Sequence, residues 1–330
     1  MHPSPPMKKQ AINNPMKNHA IRFLLLTCLV CLTCGCGKHT PTLEQPVRRV
    51  ESPARLISTV PSITEVLFDI GLGDRIVGDS RFTTYPPETK KIEKIGGLHD
   101  TSWEKIIALK PDLVLMLIGK ESCGMQFPEL GVETLLLDHR SMEGVLESYE
   151  LIGKRFGPDV MKDAMVGKDA LEKKLKAIQS KSAIFEPVRV LVCVDRDRES
   201  GKIQNAYVAG TSPYFQDAIR WAGGTNVAET TGLAFPNMSA EGLLAMNPDV
   251  IVDLMISEVV KRSGNSSDAG SERKEADIVA ACVADWRTLG NEVNAVKTGR
   301  IYVLTENYAT IPGPRTPLFV EKLFEILHGE

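Results

Sequence analysis

The sequence predicts an α/β protein of two Rossmann-like lobes with central parallel sheets joined by one long helix. Three observations predict it: a pattern that occurs twice, strands alternating with helices around each copy, and a helical segment between the copies. The repeat pairs residues 102–115 with residues 239–252, so that Ser102, Glu104, Pro111 and Asp112 recur 137 positions later as Ser239, Glu241, Pro248 and Asp249. In each copy a Ser caps a short helix, a Glu sits in its first turn near the positive dipole end, a Pro stops it, and an apolar run makes a buried strand. Of 330 residues, 43% are hydrophobic and 25% charged, the composition of a globular chain with a packed core. Lys and Arg number 39 against 42 Asp and Glu, a formal net charge of −3, which excludes the basic footprint of a nucleic-acid binder.

The first 36 residues read as an address. Lys8, Lys9, Lys17 and Arg22 precede an apolar run from Phe23 to Cys34 that is shorter than the ~20 residues a spanning helix needs. The run ends in Leu32-Thr33-Cys34-Gly35-Cys36, which resembles a bacterial lipobox, with Cys36 as the lipidated residue. Translation from Met1 or from Met16 would both give a signal. Residues 37–54 follow as a Pro-rich tether. Cys28, Cys31, Cys34 and Cys36 have the close spacing of a metal site, but a leader removed on export holds no metal in the mature protein. Cys123, Cys193 and Cys282 remain, and sequence leaves open which two, if any, form a disulfide.

The first lobe is expected over residues 55–157. Arg55 to Val60 reads as a buried strand, and Pro61 opens a helix in which Ser62 and Glu65 form a capping box. Ile63, Val66, Leu67 and Ile70 share one face, and Gly71-Leu72-Gly73 ends the helix. Residues 158–182 form the connecting helix, with Met161, Ala164, Met165, Leu171, Leu175 and Ile178 at helical spacing. The second lobe covers residues 183–330, where another helix ends at Gly223-Gly224 before the second copy of the repeat. A polar stretch, residues 261–275, reads as a mobile surface insertion.

These features, with Ser58-Thr59-Val60-Pro61-Ser62-Ile63-Thr64-Glu65, Tyr85-Pro86-Pro87, Gly96-Gly97, Gly223-Gly224-Thr225-Asn226, Ala295-Val296-Lys297-Thr298-Gly299-Arg300 and Gly313-Pro314-Arg315, resemble the helical-backbone (class III) substrate-binding proteins of ABC transporters. That family captures cobalamin, ferric siderophores or haem. The resemblance covers residues 55–328 and implies a monomeric carrier in the cell envelope, lipid-anchored and facing the periplasm or exterior. It would deliver a metal chelate to a membrane permease and its ATPase, with no cofactor and no metal site of its own.

Ligands of open α/β sheets gather outside the carboxyl ends of the strands, which selects loops 79–87, 96–101, 205–212, 233–238 and 305–315. In the cobalamin-binding member, aromatic ligand contacts align with Tyr85, Leu98, Tyr207 and Phe235, and Leu98 departs by standing where that protein has Trp. Tyr308 adds another aromatic wall, and Arg81 and Arg315 would suit the carboxylates of a siderophore or haem. His99 is either an axial ligand to a bound haem or corrin or a solvated loop residue. The family pairs one surface glutamate per lobe with arginines of a two-fold permease, which the resemblance assigns to Glu104 and Glu241. A sensor or scavenger without a transporter is the alternative carrier-like reading. An envelope enzyme is the other alternative, but neither a P-loop nor a G-x-S-x-G elbow is present, and nothing orders Cys123 and His139 into a thiol site.

Overall fold

The computed structural model describes residues 51–97, 100–119, 127, 131–255 and 275–329. The leader with Cys36, and Leu98, His99, Cys123 and the insertion at 261–274, therefore lie outside the described residues. The first sheet comprises β1 (Leu56–Ser58), β2 (Ile76–Asp79), β3 (Glu93–Lys94), β4 (Leu113–Leu117) and β5 (Glu133–Leu137). Their order is β3-β2-β1-β4-β5 and every pairing is parallel. This is a doubly wound plan, in which the chain builds outward from β1 on one side and then on the other. Helices Pro61–Asp69, Trp103–Ala108 and Met142–Phe156 supply its layers. Strands β1 and β4 are buried on both faces, as their unbroken apolar runs require.

The second sheet is parallel along most of its strands, as the alternation of strands and helices predicts, and includes an antiparallel strand. It contains β6 (Val188–Arg196), β7 (Asn205–Val208), β8 (Gly224–Asn226), β9 (Asn237–Ser239), β10 (Val250–Leu254) and β11 (Ile301–Leu304). Parallel pairs join β6 to β8, β10 to β6 and β11 to β10, whereas β7 runs antiparallel to both β6 and β9. The connection at 197–204 is too short for the crossover that a parallel partner needs, so the chain turns back as a hairpin.

The repeat is deeper in space than in sequence. Ser102 Oγ accepts from Lys105 N and Ser239 Oγ from Gly242 N, so both predicted caps form. Lys110 and Asn247, equivalent in the repeat, are the two non-glycine residues with positive φ among the described residues, at 46° and 42°. Each ends its helix in the left-handed region before the Pro. Arg55 Nη2 donates to Leu109 O at 2.6 Å and Arg189 Nη2 to Met246 O at 2.6 Å, so an arginine just before or within the neighbouring strand segment covers each helix end. Upstream, Gly71 and Gly223 stop their helices at φ 75° and 77°, where a Cβ would be strained.

One prediction for this region fails. Val60, not Ser62, is the N-cap of the first helix, with Pro61 at its first position and no side-chain cap. Ser62 Oγ instead bonds His139 Nδ1 at 2.9 Å, and Glu65 leaves the helix sideways toward Arg315. Pro61 supplies no N–H at the first helical position, so the helix starts with one orphan donor fewer.

The long helix Pro158–Ser182 buries Ala164, Leu171, Leu175 and Ile178. One apolar cluster runs from Leu56 and Leu115 through these residues to Val190, Val252 and Phe319, joining both sheets. Smaller clusters cover the opposite faces, around Ile57, Ile106 and Phe127 in the first lobe and around Leu191, Trp286 and Val293 in the second. At the carboxyl ends of β6 and β10, Arg196 is fully buried, with Nε 2.7 Å from Asp253 Oδ2 and Nη1 2.9 Å from Asp285 Oδ2. Trp286 Nε1 also donates to Asp253 Oδ2, and Arg198 reaches Asp253 Oδ1. Cys193 and Cys282 are free buried thiols whose pKa values burial pushes up.

Candidate functional site

The loops leaving the carboxyl ends of β2 and β11 meet across the seam between the lobes. Lys94 Nζ holds the first of them, bonding Asp79 Oδ1 at 2.7 Å and Thr83 O at 3.1 Å. Burial lifts Asp79 to about 6, with the Lys94 bond and charge opposing the rise. Thr84 Oγ1 then accepts from Asn307 Nδ2 at 2.7 Å, and the Arg315 guanidinium lies 4.3 Å from the centroid of the Tyr85 ring. Tyr85 is 45% exposed and follows a surface turn that ends in a cis peptide to Pro86.

Arg315 is the centre of this contact. Its Nε lies 2.9 Å from Glu65 Oε2, its Nη2 2.5 Å from Glu65 Oε1, and its Nη1 donates to Asn307 Oδ1 at 3.0 Å. The fork-to-fork geometry matches a guanidinium to a carboxylate in one plane. Glu65 is nearly inaccessible and its pKa is raised, because desolvation outweighs the hydrogen bond and charge of Arg315. Arg315 therefore enters the site already engaged, as a clamp that carries Tyr85 on its face. Arg81 is engaged as well, paired with Asp100 at 2.5 Å and stacked on Phe82.

Tyr207 and Phe235 form a second patch. Tyr207 pairs with Asn237 in the β7–β9 ladder, which continues through Val208 N to Pro236 O and Gly210 N to Ala234 O. Phe235 lies on the segment that continues this backbone pairing, two residues before Asn237. Both rings are exposed, and Phe235 rests edge-on against Phe215, 6.2 Å between centroids. Phe215 contacts Tyr214, whose hydroxyl lies 3.4 Å from the carbonyls of Tyr308 and Ala309. Tyr214 N in turn donates to Arg140 O of the first lobe at 3.2 Å. Tyr308 itself is half-buried and its pKa is raised mainly by burial.

A cavity of about 890 Å³ opens beside the clamp. Glu65, Phe68, Tyr85, Arg315 and Leu318 line it, with Lys174 and Lys181 from the connecting helix. It includes Tyr85 and Arg315 but not Tyr207, Phe235 or Tyr308, so the expected site residues divide between this cavity and the exposed aromatic patch. Sequence reasoning missed Glu65, Asn307 and Tyr214 as members. A signal existed for Glu65: it is the one charge in the apolar run from Val60 to Phe68, and a carboxylate buried in such a helix needs a cation.

Glu104 and Glu241 are exposed on the first turns of their helices, apart from the seam contacts. Glu241 is held below the usual carboxylate range by its backbone and Ser239 hydrogen bonds. Among the described residues no group of three His, Cys, Asp or Glu could hold a metal ion. No described helix is long and apolar enough to cross a membrane.

His139 is buried near the start of the first helix, and desolvation pulls its pKa from 6.5 to about 4, with Asp138 opposing weakly. The folded state thus binds fewer protons there than the unfolded chain between these values. The resulting stability is present above pH 6.5 and lost as pH falls toward 4, by about 3 kcal/mol in all. Urea titrations across that window are expected to show a shallower pH dependence for His139→Gln than for wild type. Equal slopes would mean that His139 does not carry the linkage.

Two α/β lobes, one long helix between them and aromatic loops at the seam define a solute-binding protein of the two-lobed kind. The chain belongs to the periplasmic binding protein family, whose model matches residues 56–308. It is 30% identical over 296 residues to an uncharacterized ABC transporter substrate-binding lipoprotein, YvrC, of Bacillus subtilis, covering 87% of this chain and 84% of that one. The vitamin B12-binding protein of Vibrio parahaemolyticus is 25% identical over 268 residues, covering 81% and 86%. Among solved structures, the periplasmic heme-binding protein RhuT of Roseiflexus sp. RS-1 superposes with a TM-score of 0.68 at 24% identity, covering 83% of this chain and 98% of that one. The protein is accordingly an ABC-transporter substrate-binding protein of the extracytoplasmic family, a solute carrier and not an enzyme.

Proposed function

We propose that this protein captures a metal chelate of the cobalamin, haem or ferric-siderophore kind between lobes 55–157 and 183–330 and passes it, as a monomer, to a membrane permease. The observation that carries the reading is the set of exposed rings in both lobes, Tyr85 on the loop after β2, Tyr207 on β7 and Phe235 on the segment that leads into β9. Water-exposed aromatics on a rigid scaffold gain by stacking on a flat macrocycle, at ~0.5–1.5 kcal/mol each beyond burial. Leu98 and His99 belong to the same loop group by sequence, with His99 offered as an axial ligand. Arg315 backs the Tyr85 ring, and Tyr308 is offered as a further aromatic contact from the 305–315 loop. Support from relatives comes from the vitamin B12-binding protein that the chain resembles over most of its length.

Absorption titration and native mass spectrometry against cobalamin, haem and a ferric siderophore test the reading. One of the three is expected to bind at a 1:1 ratio, with Tyr85→Ala and Phe235→Ala each weakening it about fivefold or more. Wild-type affinity in both variants would place the site elsewhere, and no binding of any of the three would overturn the ligand class.

Anchoring follows from Cys36, which lies after a signal-length apolar run and becomes the lipidated N-terminus. A labelled palmitate precursor is expected to enter the wild-type protein and not Cys36→Ala, and label in the variant would refute the anchor. Glu104 and Glu241 are the docking carboxylates, one per lobe, for a symmetric permease. Both are exposed and outside the seam, so replacing them removes charge without touching the ligand wall.

A further inference from the structure

Beside each docking carboxylate the repeat keeps a second feature. Ile106 and Leu243, equivalent in the two copies, are buried at 0% and 1%, as a helix packed on its sheet requires. The next residues, Ile107 and Leu244, are also large and apolar, yet they are 44% and 36% exposed. Packing explains the first of each pair and not the second. Ile107 lies three residues after Glu104 and Leu244 three after Glu241, which places acid and aliphatic side chains together on one helix face. A single exposed aliphatic residue is ordinary. Here the exposure recurs at the same position of two copies that differ in kind elsewhere in the same helices, Trp103 against Ala240 and Lys105 against Gly242.

The charges are arranged to match. Lys105 is drawn off to Glu93 at 2.7 Å and to the carbonyl of Lys94, so it does not neutralise Glu104. Neither Glu104 nor Glu241 forms a salt bridge among the described residues. The caps Ser102 and Ser239 and the left-handed residues Lys110 and Asn247 give the two short helices the same start and stop, so the acid and aliphatic pair is displayed in the same way twice.

We infer that Ile107 and Leu244 are apolar anchors of the permease contact, resting on the docking reading of Glu104 and Glu241. The partner this surface fits is a two-fold symmetric membrane protein that presents, on each subunit, an apolar recess next to a cationic side chain. The glutamates set register and encounter rate, and the aliphatic side chains supply contact that salt does not screen.

The test measures binding of the full-length protein to its permease–ATPase complex in nanodiscs at low and high salt. Ile107→Gln and Leu244→Gln keep helix propensity and act on exposed sites, so melting temperature and ligand affinity serve as controls for folding. Each is expected to weaken binding about fivefold to tenfold at both salt concentrations, and the double variant more. Glu104→Ala/Glu241→Ala is expected to lose binding mainly at low salt. Wild-type binding by Ile107→Gln/Leu244→Gln, with loss in the glutamate double variant, would overturn the anchor assignment and leave docking intact. Wild-type binding by both double variants would overturn the docking reading, and the anchors with it.

Discussion

Arg315→Met is expected to destabilise the protein by about 3–5 kcal/mol, because it leaves the Glu65 carboxylate buried without its partner. Glu65 is 2% exposed in its side chain and faces Arg315 in a bidentate pair across the seam. Burial already raises the Glu65 pKa with the arginine in place, so removing the cation leaves only the desolvation cost. The variant answers by taking up a proton, and its stability deficit is expected to shrink at acid pH. Glu65→Met/Arg315→Met should recover at least half of the loss, since two apolar side chains bury no charge. Urea unfolding of the two variants at neutral and acid pH measures both effects. A single variant as stable as wild type would show that water enters the seam and solvates Glu65.

A loss of similar size is expected for Arg196→Met, from a different cause. Arg196 serves two carboxylates, Asp253 and Asp285, and its own side chain is 0% exposed. Without it, Asp253 keeps the Trp286 N–H and the longer contact to Arg198, 3.3 Å away. Asp285 keeps no cation among the salt bridges of the described residues. The expected destabilisation is about 3–5 kcal/mol, with the ends of β6 and β10 the first to lose protection in hydrogen exchange. Arg196→Lys is expected to recover part of it, because an ammonium reaches one carboxylate well but cannot fork to both. Protection unchanged at β6 and β10 would mean the network does not pin them.

The parts of this molecule that sequence shows are those whose cause is local. A Ser cap, a first-turn Glu, a Pro stop and an apolar run are each decided within a few residues, so both copies of the repeat could be read directly. The long helix was legible for the same reason, since Leu171, Leu175 and Ile178 mark its buried face. The clamp was not, because Glu65 and Arg315 stand 250 residues apart and no spacing rule connects them. Glu65 also satisfied a local rule, the capping box, that the fold does not use. The antiparallel β7 was hidden in the same way, because pairing direction depends on where the chain returns and not on which residues it contains. The candidate site was legible as a set of loops and aromatics; its division between a cavity and an exposed patch arises from the β7–β9 ladder and the Arg315 contact.

The apolar cluster that continues through the long helix also limits how the protein signals. Swinging one sheet away from the other would open a gap among Leu171, Leu175 and Ile178, and each 100 Å³ of void costs ~2.4 kcal/mol. Captured solute therefore has little mechanical leverage over the lobes. What it can alter cheaply is the surface around the seam, where side chains such as Tyr85 and Phe235 are already in water. An importer that must tell a loaded carrier from an empty one would then recognise the cargo and its rim, with the spacing of the two acidic helices fixed like the pins of a plug.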